Sequence, residues 1–213
     1  MKTNLLESNW FGLLKKSEAN SELGKMVFNN LVEAYSDSAR HYHNLSHIQQ
    51  ILSLLEQVKD LANCFIVLQF SAWFHDYVYD PQAKDNEVES AIYAEQVLVQ
   101  LNIDVEIVQQ VKQLIISTQK HQPLTDNLDN LIFLDADLSI LGTSPDNYAK
   151  YAQAIRQEYQ YLSDRDFCQG RINVLTSFLN RQRIYYSDRF YQQLEEQARQ
   201  NLLQEINLLS AKN

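Results

Sequence analysis

The chain predicts an all-α fold, and three observations carry that expectation. Apolar residues recur at three- and four-residue spacing almost throughout, as in Ile48, Ile51, Leu52, Leu55 and Val58, which is the period of a helix and not of a strand. With only 4 Gly and 3 Pro among 213 residues, the turn formers that a many-stranded sheet needs are missing. The same scarcity leaves no Pro/Gly/Ser-rich linker, and there is neither an internal repeat nor a low-complexity tract. A single domain over 1–213 is therefore expected, long enough for one core that buries roughly 70% of the unfolded surface.

Ten helices are expected, at about 7–17, 21–36, 45–59, 63–79, 86–101, 104–119, 127–141, 145–162, 166–181 and 187–209. The third carries the Ile48 to Val58 repeat, and the fourth holds the apolar run that ends in Ser71-Ala72-Trp73-Phe74-His75-Asp76. Asp85 supplies N-cap chemistry ahead of Asn86 and Glu87, and Asp104 does so ahead of Val105. Gly142 is a stop after Leu141. Ser144 then opens the eighth helix, with Pro145 suited to its first turn. Tyr148, Tyr151, Tyr159 and Tyr161 lie at helical spacing and are read as packing residues with outward hydroxyls. The last helix presents Phe190, Leu194, Ala198, Leu202 and Ile206, a stripe able to pack internally or against a second copy in a homodimer.

Charge and composition narrow the function. Lys and Arg total 18 against 27 Asp and Glu, and a formal charge of −9 argues against a nucleic-acid polymer or an anionic membrane as partner. A small anionic substrate would need a local positive cluster, most simply a bound cation with nearby arginines. Cys64 and Cys168 lie in apolar helical patterns with no short Cys spacing and read as buried reduced thiols, not a disulfide or zinc pair. Residues 1–16 lack a continuous apolar stretch and no segment reaches the ~18 apolar residues of a span, so a soluble, cytoplasmic protein is expected.

The chemistry-bearing residues form an ordered set. His75-Asp76 emerges from an apolar run; His47 precedes it in Tyr42-His43-Asn44-Leu45-Ser46-His47-Ile48; Asp137 follows in Phe133-Leu134-Asp135-Ala136-Asp137-Leu138. His47 falls at the start of one expected helix and His75 near the end of the next, and a short connection makes such helices antiparallel neighbours, so the two imidazoles meet. Two neutral imidazoles with two carboxylates form a mixed N/O set suited to one divalent ion, Mn, Fe, Co, Ni or Zn, with Mg tolerable. Four protein ligands on an octahedral ion leave room for water and a phosphate oxygen.

This pattern resembles the HD superfamily of metal-dependent phosphohydrolases, whose signature is His, then His-Asp, then a distant Asp on an all-helical core. It looks most like a subgroup of predicted HD phosphohydrolases, through Arg40-His41-Tyr42-His43-Asn44-Leu45-Ser46-His47-Ile48, Trp73-Phe74-His75-Asp76-Tyr77-Val78-Tyr79, Asn86-Glu87-Val88-Glu89-Ser90-Ala91 and Asp135-Ala136-Asp137-Leu138-Ser139-Ile140-Leu141-Gly142. The likeness covers about residues 30–190. It implies an HD-type helical core at about 40–142 with a helical extension at 145–209. It also implies that His47, His75, Asp76 and Asp137 are the metal ligands, His47 in preference to His43 and Asp137 in preference to Asp135.

The remaining candidates surround this set. Glu87 can orient or deprotonate water, or can serve as an N-terminal acid favoured by the helix dipole. Asp135 is a second candidate for handling a proton, and Asp76 counts as both ligand and catalytic residue. His43 is read as a substrate contact or a partner of the metal ligands, ahead of a surface role or direct ligation; His121 is either a phosphate contact, a ligand of a second metal or a helix cap. Arg156 and Arg181 are the leading phosphate clamps because guanidinium matches phosphate bidentately, although each can pair with a helix carboxylate instead. Arg40 and Lys120 are lesser candidates, and Asp80, ahead of Pro81, is a turn former. The function expected is hydrolysis of a small phosphate ester, with nucleotides the leading class, by metal-activated water. The alternatives are an iron-dependent oxygenase on the same scaffold, disfavoured because dinuclear HD branches carry two extra histidines where this chain has only His121, and a non-catalytic ligand-sensing module stabilised by its metal.

Overall fold

The computed structural model describes residues 2–211, and among the described residues there are ten α-helices, two short 3-10 segments and no strand. The chain divides by packing into two compact units, residues up to Leu134 and residues from Asp135 on. The dividing point falls inside a continuous helix, upstream of the 142–145 junction between core and extension that the sequence suggests.

The first unit contains α1 (Lys2–Lys16), α2 (Ser21–Tyr35), α3 (Leu45–Gln57), α4 (Phe65–Phe74), α5 (Asn86–Gln100), α6 (Val105–Thr118) and most of α7 (Leu128–Asp137). Its centre is α4, whose residues from Val67 to Phe74 are all buried, as expected of a helix that is apolar on every face. Trp10 of α1 lies edge-on to Phe70, Trp73 and Phe74 at 5.5–6.1 Å and donates its indole N–H to Gly24 O at 2.8 Å. From α2, Tyr35 Oη donates to Trp73 O at 3.0 Å. α4 has no cap from its own N-cap residue, Cys64. Asp129, in the first turn of α7, does the work from 65 residues away, accepting from Asn63 N at 2.7 Å and Cys64 N at 2.8 Å. That carboxylate satisfies N–H groups the helix start would otherwise leave open, and it fixes where α7 begins relative to α4.

In the second unit, α7 tightens into a 3-10 turn over Leu138–Gly142, followed by α8 (Pro145–Glu158), α9 (Asp164–Leu179) and α10 (Asp188–Ser210). The expected helix over 127–141 thus changes type, because Tyr185 Oη takes Leu138 O at 3.0 Å and Asn201 Nδ2 takes Leu141 O at 2.8 Å and Thr143 O at 2.9 Å. Gly142 is not a left-handed stop, since no glycine has positive φ. It is a point of close approach: a Cβ there would lie 2.5 Å from Leu194 Cβ and 2.7 Å from Leu194 O. In the α10 stripe Phe190, Ala198 and Leu202 are buried, and α10 packs on α9 and on the 3-10 turn.

Of the expected caps, Asp104 accepts from Glu106 N at 2.7 Å, whereas the side chains of Asp85 and Ser144 make no cap bond. Pro145 sits in the first turn as anticipated. Both cysteines are free thiols; Cys168 is buried as expected, whereas Cys64, at the N-cap of α4, is only half-buried. Among the described residues no helix is long and apolar enough to cross a membrane.

Candidate metal centre

Two helix ends bring the imidazoles together. α3 starts at Asn44, whose Oδ1 accepts from Ser46 N at 2.8 Å, and this places buried His47 in the first turn. α4 stops earlier than its apolar pattern suggests, at Phe74; His75 is its C-cap, with its own N–H still donating to Ser71 O at 3.0 Å. His47 Nε2 and His75 Nε2 are 3.2 Å apart. Asp76 Oδ2 lies 3.0 Å from His75 Nε2 and 3.6 Å from His47 Nε2.

The donor chemistry fits a cation. His75 Nδ1 lies 3.1 Å from Ala72 O, and a carbonyl only accepts, so Nδ1 carries the proton and Nε2 keeps its lone pair toward His47 and Asp76. A histidine ligand is typically oriented in this way by a backbone carbonyl. Two nitrogens each about 2.0–2.1 Å from one ion, at angles between octahedral and tetrahedral, would be about 2.9–3.4 Å apart. The observed 3.2 Å falls in that range. Burial works against the Asp76 charge, but positive charge on the His75, His43 and His47 side outweighs it and holds the carboxyl well below the usual carboxylate range; with the imidazoles neutral, a cation at the same place acts in the same sense. The part of α7 in the first unit packs on one of these imidazoles, with Phe133 edge-on against His75 at 5.8 Å. One turn later α7 carries Asp137, its last residue, in the second unit.

The turn that bears His75-Asp76 is held from outside. Arg40 donates from Nη1 to Asp76 O at 2.6 Å and from Nη2 to Tyr77 O at 2.7 Å. Ser90 Oγ accepts from Val78 N at 3.0 Å and donates to Val78 O at 3.3 Å. Asn86 accepts from Asp80 N at 3.0 Å and donates to Asp80 O at 2.8 Å. These bonds explain the early end of α4: carbonyl and N–H groups that a longer helix would pair internally have side-chain partners instead. Asp80 behaves as a turn former, accepting from Gln82 N at 2.9 Å.

The other predicted residues fall as follows. His43 is stacked on Tyr79 at 4.3 Å, with its ring centre 5.9 Å from that of His47. Glu87 is half-buried in the first turn of α5. His121 follows α6 with a left-handed φ of 46° and returns its ring Nδ1 to Thr118 O, a capping geometry. Asp135 is fully buried and accepts from Tyr186 N and Ser187 N, both at 2.7 Å, and from Ser187 Oγ at 2.6 Å. Burial pushes its pKa up to about 6 in spite of those donors. Arg156 spends its guanidinium on Tyr159 O, Leu162 O and Asp164, at 2.8, 3.1 and 2.8 Å, beside a cavity of about 880 Å³ also lined by Tyr148, Phe167 and Glu205. Arg181 stacks on Phe178 at 4.5 Å and donates to Tyr186 Oη at 3.4 Å.

Fold and site together define an all-α protein with a His/Asp cluster, built on the buried His47 and His75, that could hold a metal ion. No family model, no curated protein and no solved structure matches this chain. Sequence reasoning ranked Arg40 low and missed Asn86 and Asp129. Arg40 and Asn86 stand inside the quoted motifs, so the signal was present, but nothing in the sequence says that their targets are backbone groups.

Proposed function

We propose that this protein is a metal-dependent phosphohydrolase acting on small phosphate esters, with nucleotides the leading substrate class. The carrying observation is the approach of His47 Nε2 and His75 Nε2 to 3.2 Å, with Asp76 against both imidazoles. His47, His75, Asp76 and Asp137 would hold one divalent ion, Mn, Fe, Co, Ni, Zn or Mg. Bound there, the ion supplies neutralisation of phosphoryl charge and a water of lowered pKa.

The chain's own groups have separable roles. His75 presents Nε2 because Ala72 O fixes its tautomer, and Asp76 keeps its negative charge, so the cluster binds a cation and an anionic substrate binds through that cation. Glu87, whose α5 begins where the Asp76–Asp85 turn ends, is assigned the proton transfer from water. Asp135 is less suited, since its two oxygens already hold three donors. His43, Arg181 and His121 are assigned to the substrate, while the donors of Arg156 are already committed within its own turn.

The test is phosphate release from a panel of nucleotides and sugar phosphates by metal-reconstituted protein, with His75→Ala and Asp76→Ala alongside. Turnover that falls at least ~100-fold in both variants supports the reading; equal turnover in all three proteins rejects it. Two irons per chain with a mixed-valence signal would instead point to an oxygenase.

A further inference from the structure

We infer that Arg40 is a positioning residue for the metal centre, a strut that sets the separation of the two histidine-bearing helix ends; the inference rests on the metal-site reading above. The observation is one residue that engages both ends at once, its side chain toward α4 and its backbone carbonyl toward α3. Toward α4, the guanidinium donates to the carbonyls of Asp76 and Tyr77 at 2.6 and 2.7 Å, the two residues that directly follow His75. Toward α3, the Arg40 carbonyl accepts from Asn44 Nδ2 at 3.3 Å, and Asn44 is the N-cap whose Oδ1 takes Ser46 N at 2.8 Å, one residue before His47. A short covalent path through Arg40 thus links the start of the His47 helix to the turn carrying His75 and Asp76.

The guanidinium also lies within cation–π range of two tyrosines. Its carbon lies 5.2 Å from the centre of the Tyr35 ring and 5.5 Å from that of Tyr79, and Tyr79 stacks in turn on His43 at 4.3 Å. Cation–π contact with both rings, added to the two carbonyl acceptors, favours the planar fork over a flexible ammonium. The two carbonyls are also acceptors that a shortened α4 would otherwise leave open, so the charge of Arg40 is spent on backbone and not on phosphate. Partners that orient metal ligands from outside the coordination sphere are worth about 10–100-fold in metal affinity.

The experiment titrates Co(II) into the full chain, wild type, Arg40→Lys, Arg40→Ala and Arg199→Ala, reading affinity by calorimetry and ligand geometry by the visible Co(II) spectrum. Arg199 is the matched control: its guanidinium likewise donates to backbone carbonyls, of Leu179 at 3.0 Å and Arg181 at 2.8 Å, within the second unit. The expected result is a loss of about 10–100-fold in affinity with an altered spectrum in both Arg40 variants. Methylguanidinium added to Arg40→Ala should restore part of it. Wild-type affinity and spectrum in Arg40→Lys overturn the inference, and so does an equal loss in Arg199→Ala, which would mark a general loss of stability. Failure of the wild type to bind Co(II) at all removes the metal-site reading itself, and the strut with it. If Arg40→Ala does not fold, Arg40→Lys decides alone.

Discussion

His47 Nε2 and His75 Nε2 lie 3.2 Å apart although 28 residues separate them in the chain. Two lone-pair-bearing nitrogens at that distance repel unless a proton or a cation lies between them. Removing either imbalances the cluster: His47→Ala or His75→Ala should lower Mn(II) or Co(II) affinity by more than the ~100-fold typical of outer-sphere partners, and Asp137→Asn should do the same. Calorimetric titration checks this, and an unchanged affinity in any of the three removes that residue from the ligand set.

Metal binding should also appear as stability. A ligand that binds only the folded state at one hundred times its Kd stabilises by about 2.7 kcal/mol, so unfolding in urea with Mn(II) at that level should shift to higher denaturant than unfolding in chelator. The shift should vanish in His75→Ala. A wild-type midpoint that ignores both metal and chelator would show that no ion binds this cluster.

How much of this could be read from the chain alone follows from the range of the forces involved. The helical period fixed ten helices, because amphipathic spacing is local: α5 and α6 were expected over 86–101 and 104–119 and run Asn86–Gln100 and Val105–Thr118. The helix ends at the site were not legible. α4 was expected to continue to 79 and stops at Phe74, since the bonds that end it come from Arg40 and Ser90, remote in sequence. The meeting of His47 with His75 follows from the hairpin argument, since their helices are consecutive; the anchoring of α7 on the start of α4 by Asp129 is a contact across 65 residues, which no periodicity reveals.

Gly142→Ala should destabilise the second unit by about 1–3 kcal/mol. The added methyl would meet Leu194 O at 2.7 Å and Leu194 Cα at 3.0 Å, backbone atoms of α10 that cannot rotate away. Chemical denaturation measures the loss. A variant as stable as the wild type would mean that the 3-10 turn and α10 can separate without cost.

Asp135 should impose a pH dependence with a definite sign. Its folded pKa of about 6 is above the usual 3.8, so its contribution is fully present below pH 4 and is lost as pH rises through 6, by up to about 3 kcal/mol. The cause is burial of the ionised carboxylate, which three donors offset only in part. Unfolding free energy measured from pH 4 to 7 should fall more steeply in wild type than in Asp135→Asn, whose side chain does not titrate. Parallel curves would exclude Asp135 as the source.

The heaviest energetic stake outside the metal centre is the pair formed by Arg171 and Glu205, at 2.9 Å from Nε to Oε1 and 3.2 Å from Nη2 to Oε2, with side chains only 8% and 10% exposed. Tyr148 Oη donates to the same carboxylate, and Arg171 Nη1 donates to Tyr151 Oη at 3.3 Å, so four side chains from α8, α9 and α10 share one network. Removing one charge strands the other in a medium that cannot solvate it. Glu205→Ala should therefore cost about 3–5 kcal/mol, more than the net worth of the hydrogen bonds it makes. Removing both charges is a different matter: Arg171→Met with Glu205→Leu, combined with Tyr148→Phe to remove the orphaned hydroxyl, should recover most of that loss, because well-packed apolar groups carry no desolvation penalty. Urea unfolding of the single and combined variants separates the two cases. A combined variant as unstable as Glu205→Ala alone would mean that the pair holds the three helices by directional bonding, and that the penalty of an unpaired charge is not what the single substitution reports.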